Sequence, residues 1–483
     1  MTVRLRILIG VLLGVTLLLA SGLIDVRPNP VPETRRHVLL LTVDTLRADH
    51  VDGDGAVAGV PTSPTLARLV ERGHAFPRAV TPVPRTTPAV ASLLTGAYPH
   101  TTGVRALSDN LLPDVVSVAE LFRARGYETR AVVSNHVLLP ARGLDRGFTR
   151  YDHSGDGRDA ATTTRDALTS LDGLDADDLV FLWVHYIDPH MPYAPTDGLA
   201  ERFDPGYRGR YATRFGGDVG ATGPLAFPRD LLKTEAIYRN PLPEAVNEHI
   251  RLLYAADVRG TDDAIAELLA GLRERFGDQW SVIFTADHGE SLGEHDYYWE
   301  HGDYVWNETV RVPLAISLPA GDPLAGASET EDWVSLVDVA PTLVELFDLP
   351  LPYDLSYAVE GRSLVPYLRG ETLPERPVFA ESGRSHYPHE IRGRVSFDVA
   401  GRFRATYFDR WKLIFTPGAE APHQLYDMES DPGEQNDLAA PKGPQVAALR
   451  RHLDAWMREV PESTPAAPSE EDLSALRALG YID

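Results

Sequence analysis

Four apolar runs constrain this chain more than anything else in it. "HVLLLTVD" (His37–Asp44), "TRAVVSN" (129–135), "DLVFLWVHYID" (178–188) and "WSVIFTADHGE" (280–290) are almost unbroken hydrophobic stretches that end in polar residues. A strand that is apolar at nearly every position is buried on both faces, which places it inside a parallel sheet covered by helices. Helical patterns lie between the runs. "SPTLARLVERG" opens on Ser63 as a cap and Pro64 in the first turn, and "PDVVSVAELFRARG" and "YAADVRGTDDAIAELLAGLRERFG" repeat at helical spacing. A further helix is predicted from about Leu336, with Pro341 early in it. The fold class that follows is α/β: a large mixed, mostly parallel sheet with helices on both faces. Ligands then belong at the carboxyl ends of the strands.

The pattern changes after residue 370. "GRFRATYFDRWKLIFTP" and "HQLYDMESDPGEQNDLA" read as antiparallel strands and a turn, and "GPQVAALRRHLDAWMREV" as an amphipathic helix. The expected organisation is a catalytic domain over 36–370, a small C-terminal subdomain of antiparallel sheet and helix over 371–465, and a tail with a short helix over 466–483. The stretch 192–247, rich in Gly, Pro and Arg, reads as an insertion over the active face. At the other end, Arg4 and Arg6 precede an uncharged run, Ile7 to Ile24. Residues 1–27 are expected to be a signal peptide or a membrane anchor, with the rest of the chain exported to the periplasm, the extracellular space or the outer face of a membrane.

Composition removes several function classes. Acidic residues number 70 against 46 basic, a formal charge of -24, which argues against a nucleic-acid partner. The chain has no cysteine. Disulfides, thiolate metal sites, a cysteine nucleophile and any cofactor made by oxidising a cysteine are therefore excluded.

Polar residues at the strand ends supply the chemistry. Asp44, the adjacent pair Asp287 and His288, and the group His185, Asp188 and His190 offer oxygen and imidazole donors suited to a divalent cation. A lone strand-end aspartate is as readily a cap or a salt bridge. Asp44, Asp287 and His288 share one crevice only if their strands run parallel. His185 and Asp188 are candidates for a second metal site, while Arg47, Asp49 and His50 fit structural roles. In "PRTTPAVASLLTGAYPH", Thr86 or Thr87 precedes Pro88 at the start of a small-residue helix. A hydroxyl there is either a plain cap or a nucleophile beside an anion held at the helix N-terminus.

Taken in order, these segments resemble the sulfatase family, within the alkaline phosphatase superfamily. "LLLTVDTLRADH" is similar to its first metal segment, "TTPAVASLLTGAYPHTTGV" to its nucleophile signature and "HYIDPHMPY" to its substrate-histidine segment. "FTADHGESLGEH" with "HGDYVWNETVRVPL" resembles its second metal segment, and "RWKLIF" with "QLYDMESDPGEQNDLA" its C-terminal subdomain. The resemblance implies Asp44, Asp287 and His288, with the Thr86 hydroxyl, as ligands of one divalent cation (Ca, Mn or Mg). It implies Thr86 as the nucleophile and His190 as a substrate-binding histidine. It also puts His301 where a sulfate-binding lysine sits and His136 near the family's Lys-x-His pair. Arg85 is either a substrate-binding cation or a solvated surface residue.

There are departures from the family pattern. A second metal aspartate is replaced by Thr45, a signature arginine by Val90 and a lysine by Ser134. Thr86 stands where the family has the cysteine or serine that becomes formylglycine, so no formylglycine is expected. Superfamily relatives with a threonine nucleophile handle phosphoesters, including pyrophosphatases and the transferases that add phosphoethanolamine or glycerol phosphate at membranes. The expected activity is hydrolysis of sulfate or phosphate esters, on a glycan or a lipid. Membrane-associated transfer and non-catalytic binding on a degenerate scaffold are the alternatives. Oligomeric state is not readable.

Overall fold

The structure is a computed structural model that describes residues 33–51, 56–153, 158–196, 198–209, 211–216, 242–351, 359–383, 385–386, 395–396 and 401–458. The apolar run Ile7–Ile24, the 466–483 tail and much of the 192–247 insertion lie outside them. Among the described residues, no helix is long and apolar enough to cross a membrane.

An eight-stranded sheet organises the large domain. Its spatial order is Ser328–Glu329, His74–Ala75, Leu314–Ser317, Trp280–Ala286, His37–Val43, Val180–Tyr186, Glu128–Val133 and Arg150–Asp152. The last five run parallel, and Leu314–Ser317 pairs antiparallel with Trp280–Ala286. Every residue of His37–Val43 and Val180–Tyr186 is buried, as unbroken apolar runs require. Alternation along Val180–Tyr186 sends Phe181 and Tyr186 to opposite faces. Phe122 and Phe148 stack on Phe181, whereas Tyr186 bonds Thr164 of the helix Ala160–Ser170 at 2.7 Å. Helices therefore cover both faces.

The C-terminal subdomain is a four-stranded antiparallel sheet in the order Val378–Glu381, Arg404–Phe408, Trp411–Phe415 and His423–Asp427. The helix Gly443–Arg458 buries Leu449, Leu453 and Trp456, and Trp456 packs on Phe379 and on Tyr98 of the large domain. A buried ion pair of this subdomain reaches the large domain through hydrogen bonds to Val305 and Asn307. Lys412 Nζ meets Glu434 Oε1 at 2.6 Å, both side chains fully buried, and donates to Val305 O (2.7 Å) and Asn307 Oδ1 (3.1 Å). Removing one partner leaves an uncompensated interior charge. Lys412→Met is expected to lower the unfolding free energy by about 3–5 kcal/mol in chemical denaturation. Adding Glu434→Gln should recover most of that loss.

Candidate active site

Strand register builds the site. Val43 lies beside Ala286 on one side and Tyr186 on the other, so the next residues, Asp44 and Asp287, leave adjacent strands at the same level. His288 follows, and its Nδ1–H donates to Gly289 O at 3.0 Å. That tautomer turns the Nε2 lone pair toward the carboxylates, 3.6 Å from Asp44 Oδ1 and 3.6 Å from Asp287 Oδ2. The ligand atoms of these three residues lie within 4.8 Å of one another, and all three side chains are fully buried. Asp44 Oδ1 and Asp287 Oδ2 receive no hydrogen bond.

Electrostatics point the same way. Burial opposes the charge on Asp44, but the His185 hydrogen bond and nearby His190 and His288 hold its carboxyl well below the usual range. Burial and the charge of Asp44 push Asp287 well above it. Two uncapped carboxylate oxygens and an imidazole lone pair around one gap fit a single divalent cation. Such an ion is expected to raise Tm in a thermal-shift assay, by the equivalent of about 2.7 kcal/mol at a hundredfold excess over Kd. Asp287→Asn is expected to abolish the rise.

The two threonines separate cleanly. The helix Thr86–Thr95 is buried along its whole length and closes on Gly96 in the left-handed conformation, φ 74°. Pro88 falls in its first turn, where a missing N–H costs nothing. Thr87 Oγ1 donates to Leu107 O (3.1 Å), which ties it to the scaffold. Thr86 Oγ1 instead faces the donor cluster, 3.4 Å from His288 Nε2 and 3.5 Å from Asn135 Nδ2. Asn135 also donates to Asp44 Oδ2 at 2.6 Å. Sequence reasoning passed over Asn135 in favour of its neighbour His136, which is half-buried. The signal available was its place at the end of the apolar run 129–135.

His190 and His301 join from two loops. Their ring centroids are 5.2 Å apart, and His301 stands 4.2 Å from His288. His190 Nδ1–H donates to Met191 O (2.7 Å), while His301 Nδ1 pairs with Glu290 Oε1 (3.0 Å). Burial pushes Glu290 up to about 8 and His301 well below the ordinary imidazole value. Glu290 was not foreseen. It lies in "FTADHGESLGEH", two residues after His288. Arg85 is not a surface residue. It is 2% exposed, passes against Gly302 and Gly383, and faces Glu300 at 3.9 Å.

Other expectations are corrected or placed. His185 and Asp188 do not come together as a second metal site. Asp188 accepts from Ala160 N (2.7 Å) at the start of the helix Ala160–Ser170, and His185 Nε2 lies 3.5 Å from Asp44 Oδ2. Asp188 is thus consumed as a helix anchor, and His185 supports the first site. Arg47 forks onto Asp49 and reaches Glu294, a structural role as expected. Thr45 sits in the left-handed region, φ 54°, and accepts from Tyr254 through its backbone oxygen.

The sulfatase family profile matches residues 36–349, and a profile described as N-sulphoglucosamine sulphohydrolase, C-terminal, matches 293–462. The chain is 26% identical to the ulvan-active sulfatase of Formosa agariphila, over 83% of this chain and 77% of that one. It is 27% identical to human N-sulphoglucosamine sulphohydrolase, over 95% and 96%. Among solved structures, a 2-O GAG sulfatase superposes with a TM-score of 0.65 at 21% identity, covering 88% of this chain and 92% of the other. A phosphonate monoester hydrolase of Agrobacterium radiobacter gives 0.67 at 18%, over 91% and 99%. Because the family match runs through every strand end that builds this site, the chain belongs to the sulfatase family, within the alkaline phosphatase superfamily, and is an ester hydrolase.

Proposed function

We propose that this protein hydrolyses phosphoric esters through a threonine nucleophile, on a scaffold shared with enzymes of sulfuric esters. The observation that carries the reading is Thr86 Oγ1, at the start of a buried helix and 3.4 Å from the imidazole of the donor cluster. Asp44, Asp287 and His288 would hold the divalent cation, which when bound supplies Lewis-acid stabilisation of charge on the ester oxygens. Asn135 orients Asp44 and Thr86. Thr86 Oγ attacks phosphorus in line, and the alcohol departs with a proton from an imidazole. Water then displaces Thr86. His190, His301 and Arg85 bind the anion's oxygens.

The choice of phosphorus rests on the second half of the cycle. Formylglycine expels sulfate with its spare hydroxyl, and threonine has none. A sulfated threonine must be cleared by renewed attack at sulfur, whereas a phosphorylated threonine is open to in-line water. The alcohol is proposed to be a glycan, supported by the relatives named for ulvan and for N-sulphoglucosamine. Those same names favour sulfate as the second reading. The apolar run Ile7–Ile24 supports a place outside the cytoplasm, and membrane-bound transfer if it is retained.

The test is kcat/KM on matched aryl sulfate, phosphate monoester and phosphate diester with Mn²⁺, Mg²⁺ or Ca²⁺ in turn, with Thr86→Val beside the wild type. A Thr86-dependent preference for phosphorus supports the proposal. A Thr86-dependent preference for sulfate sinks the choice of phosphorus, and activity that survives Thr86→Val sinks the nucleophile.

A further inference from the structure

A cavity of about 290 Å³ lies between residues 304–306 of the large domain and the C-terminal sheet. Its place follows from strand alternation. Lys412 and Ile414 share the face of their strand that turns toward the large domain, and Gln424 joins them from the next strand, opposite Ile414. Lys412 closes its part of the seam with Glu434. Farther along the same face, Tyr304, Trp306 and Phe403 supply aromatic walls to the cavity. Thr416, Ala419 and Gln424 line it as well and are partly exposed, which puts its mouth at the surface.

The lining has the chemistry of a sugar site. Aromatic rings cover the C–H faces of a pyranose, and a few polar groups fix its orientation. Thr416 offers a hydroxyl that both donates and accepts. Gln424 offers an amide held in place by Tyr426, to whose hydroxyl Nε2 donates at 3.0 Å. A wholly apolar ligand would strip water from these two groups and return nothing. Among the described residues, none that lines the cavity carries a charge, and Glu420 stands exposed beside Ala419. A sulfate or carboxylate on the bound ring would meet no cation there and would be repelled by Glu420, so the ring that fits is uncharged.

Both aromatic walls start from the catalytic centre. Tyr304 follows His301 by three residues, a span of at most about 11 Å. Phe403 N–H donates to Ser382 Oγ at 3.1 Å, and the residue after Ser382, Gly383, lies against Arg85. Tyr304 and Phe403 meet with ring centroids 5.0 Å apart. We propose that this cavity is a separate sugar subsite, which holds an uncharged pyranose ring of the glycan beside the ring whose ester is cleaved. The proposal rests on the glycan reading above. A ring bound there takes no part in the reaction, and its binding energy serves to position the ester at Thr86.

The test reads binding without turnover. Unsulfated di- and trisaccharides of glucose, galactose, mannose and xylose are titrated against the full chain by calorimetry, with benzyl alcohol and n-octanol as apolar probes. At least one saccharide is expected to bind. Ala419→Trp, which fills the cavity from its mouth, should weaken that binding by roughly tenfold or more. Gln424→Leu removes one hydrogen-bonding group and should weaken it by about fivefold. Thermal melts establish that each variant is folded, and if Ala419→Trp is not, Gln424→Leu decides alone. Wild-type affinity in either folded variant places the ring elsewhere and overturns the proposal. A panel in which no saccharide binds overturns it too, as does binding of an apolar probe where no sugar binds. The hydrolytic reading fails separately. Saccharide binding that responds to both variants, in a protein inert toward every ester, would sink that reading and leave the subsite standing. Ester turnover without saccharide binding would do the reverse.

Discussion

Thr86→Val is expected to abolish turnover while leaving the protein folded. Valine keeps the shape and the β-branch of threonine and removes only the hydroxyl. Thr86 is fully buried, and the contacts of its Oγ1, at 3.4 and 3.5 Å, are long for hydrogen bonds. Little folding energy rests on them, so stability should move by no more than about 1 kcal/mol. Catalysis should fall on the order of 10⁴-fold or more, because no second nucleophile stands in its place. Thr87 cannot substitute, since its hydroxyl is engaged with Leu107 O. Thr86→Ser separates chemistry from shape. It retains the hydroxyl but loses the rotamer restriction of a β-branched side chain, and should keep activity within roughly tenfold of wild type. Steady-state kinetics with thermal melts of the three proteins reads both effects. A Thr86→Val protein with wild-type kcat would remove the nucleophile from the mechanism.

The contrast between Thr86 and its neighbours shows what the sequence could carry. Unbroken apolar strands with polar ends announce a parallel sheet, and parallel register by itself brings Asp44 and Asp287 together, although 243 positions separate them. That part of the site was legible because it depends on periodicity. Asn135 was not, because an amide has no pattern of its own and its meaning comes from Asp44 on another strand. Glu290 was hidden for the same reason. Its partner His301 returns across the Ser291–Glu300 hairpin, and the intervening residues carry no signal for that closure. Asp188 misled in the opposite direction. A carboxylate near two histidines looks like a ligand, yet here it serves the first turn of a helix. The small C-terminal sheet was readable as hairpins. Its grip on the catalytic centre was not, and that grip passes through Arg85.

Gly383→Ala, in the C-terminal subdomain, is expected to cripple catalysis at Thr86. A Cβ at 383 would lie 2.0 Å from Arg85 Cγ and 2.9 Å from Arg85 Cβ, well inside contact distance. Those atoms are near the backbone and cannot swing aside as the end of a long side chain can. On its other flank Arg85 meets Gly302, the residue after His301, where a Cβ would fall 2.1 Å from Nε. The side chain therefore has no room to retreat, and the displacement passes to its own backbone, which caps the helix that starts at Thr86. Overpacking of this kind costs about 1–3 kcal/mol of stability. A shift of about 1 Å in a nucleophile can cost 10²-fold in rate, so kcat should fall by at least that while the protein still melts cooperatively. The double variant Arg85→Ala with Gly383→Ala discriminates between the roles of Arg85. Removing the long side chain makes room for the new methyl group, so stability should return. If Arg85 serves only as a spacer, kcat/KM returns with it. If its charge also holds the substrate anion, KM stays high after the strain is gone. Wild-type kinetics in Gly383→Ala would show that the C-terminal subdomain does not hold the nucleophile in place.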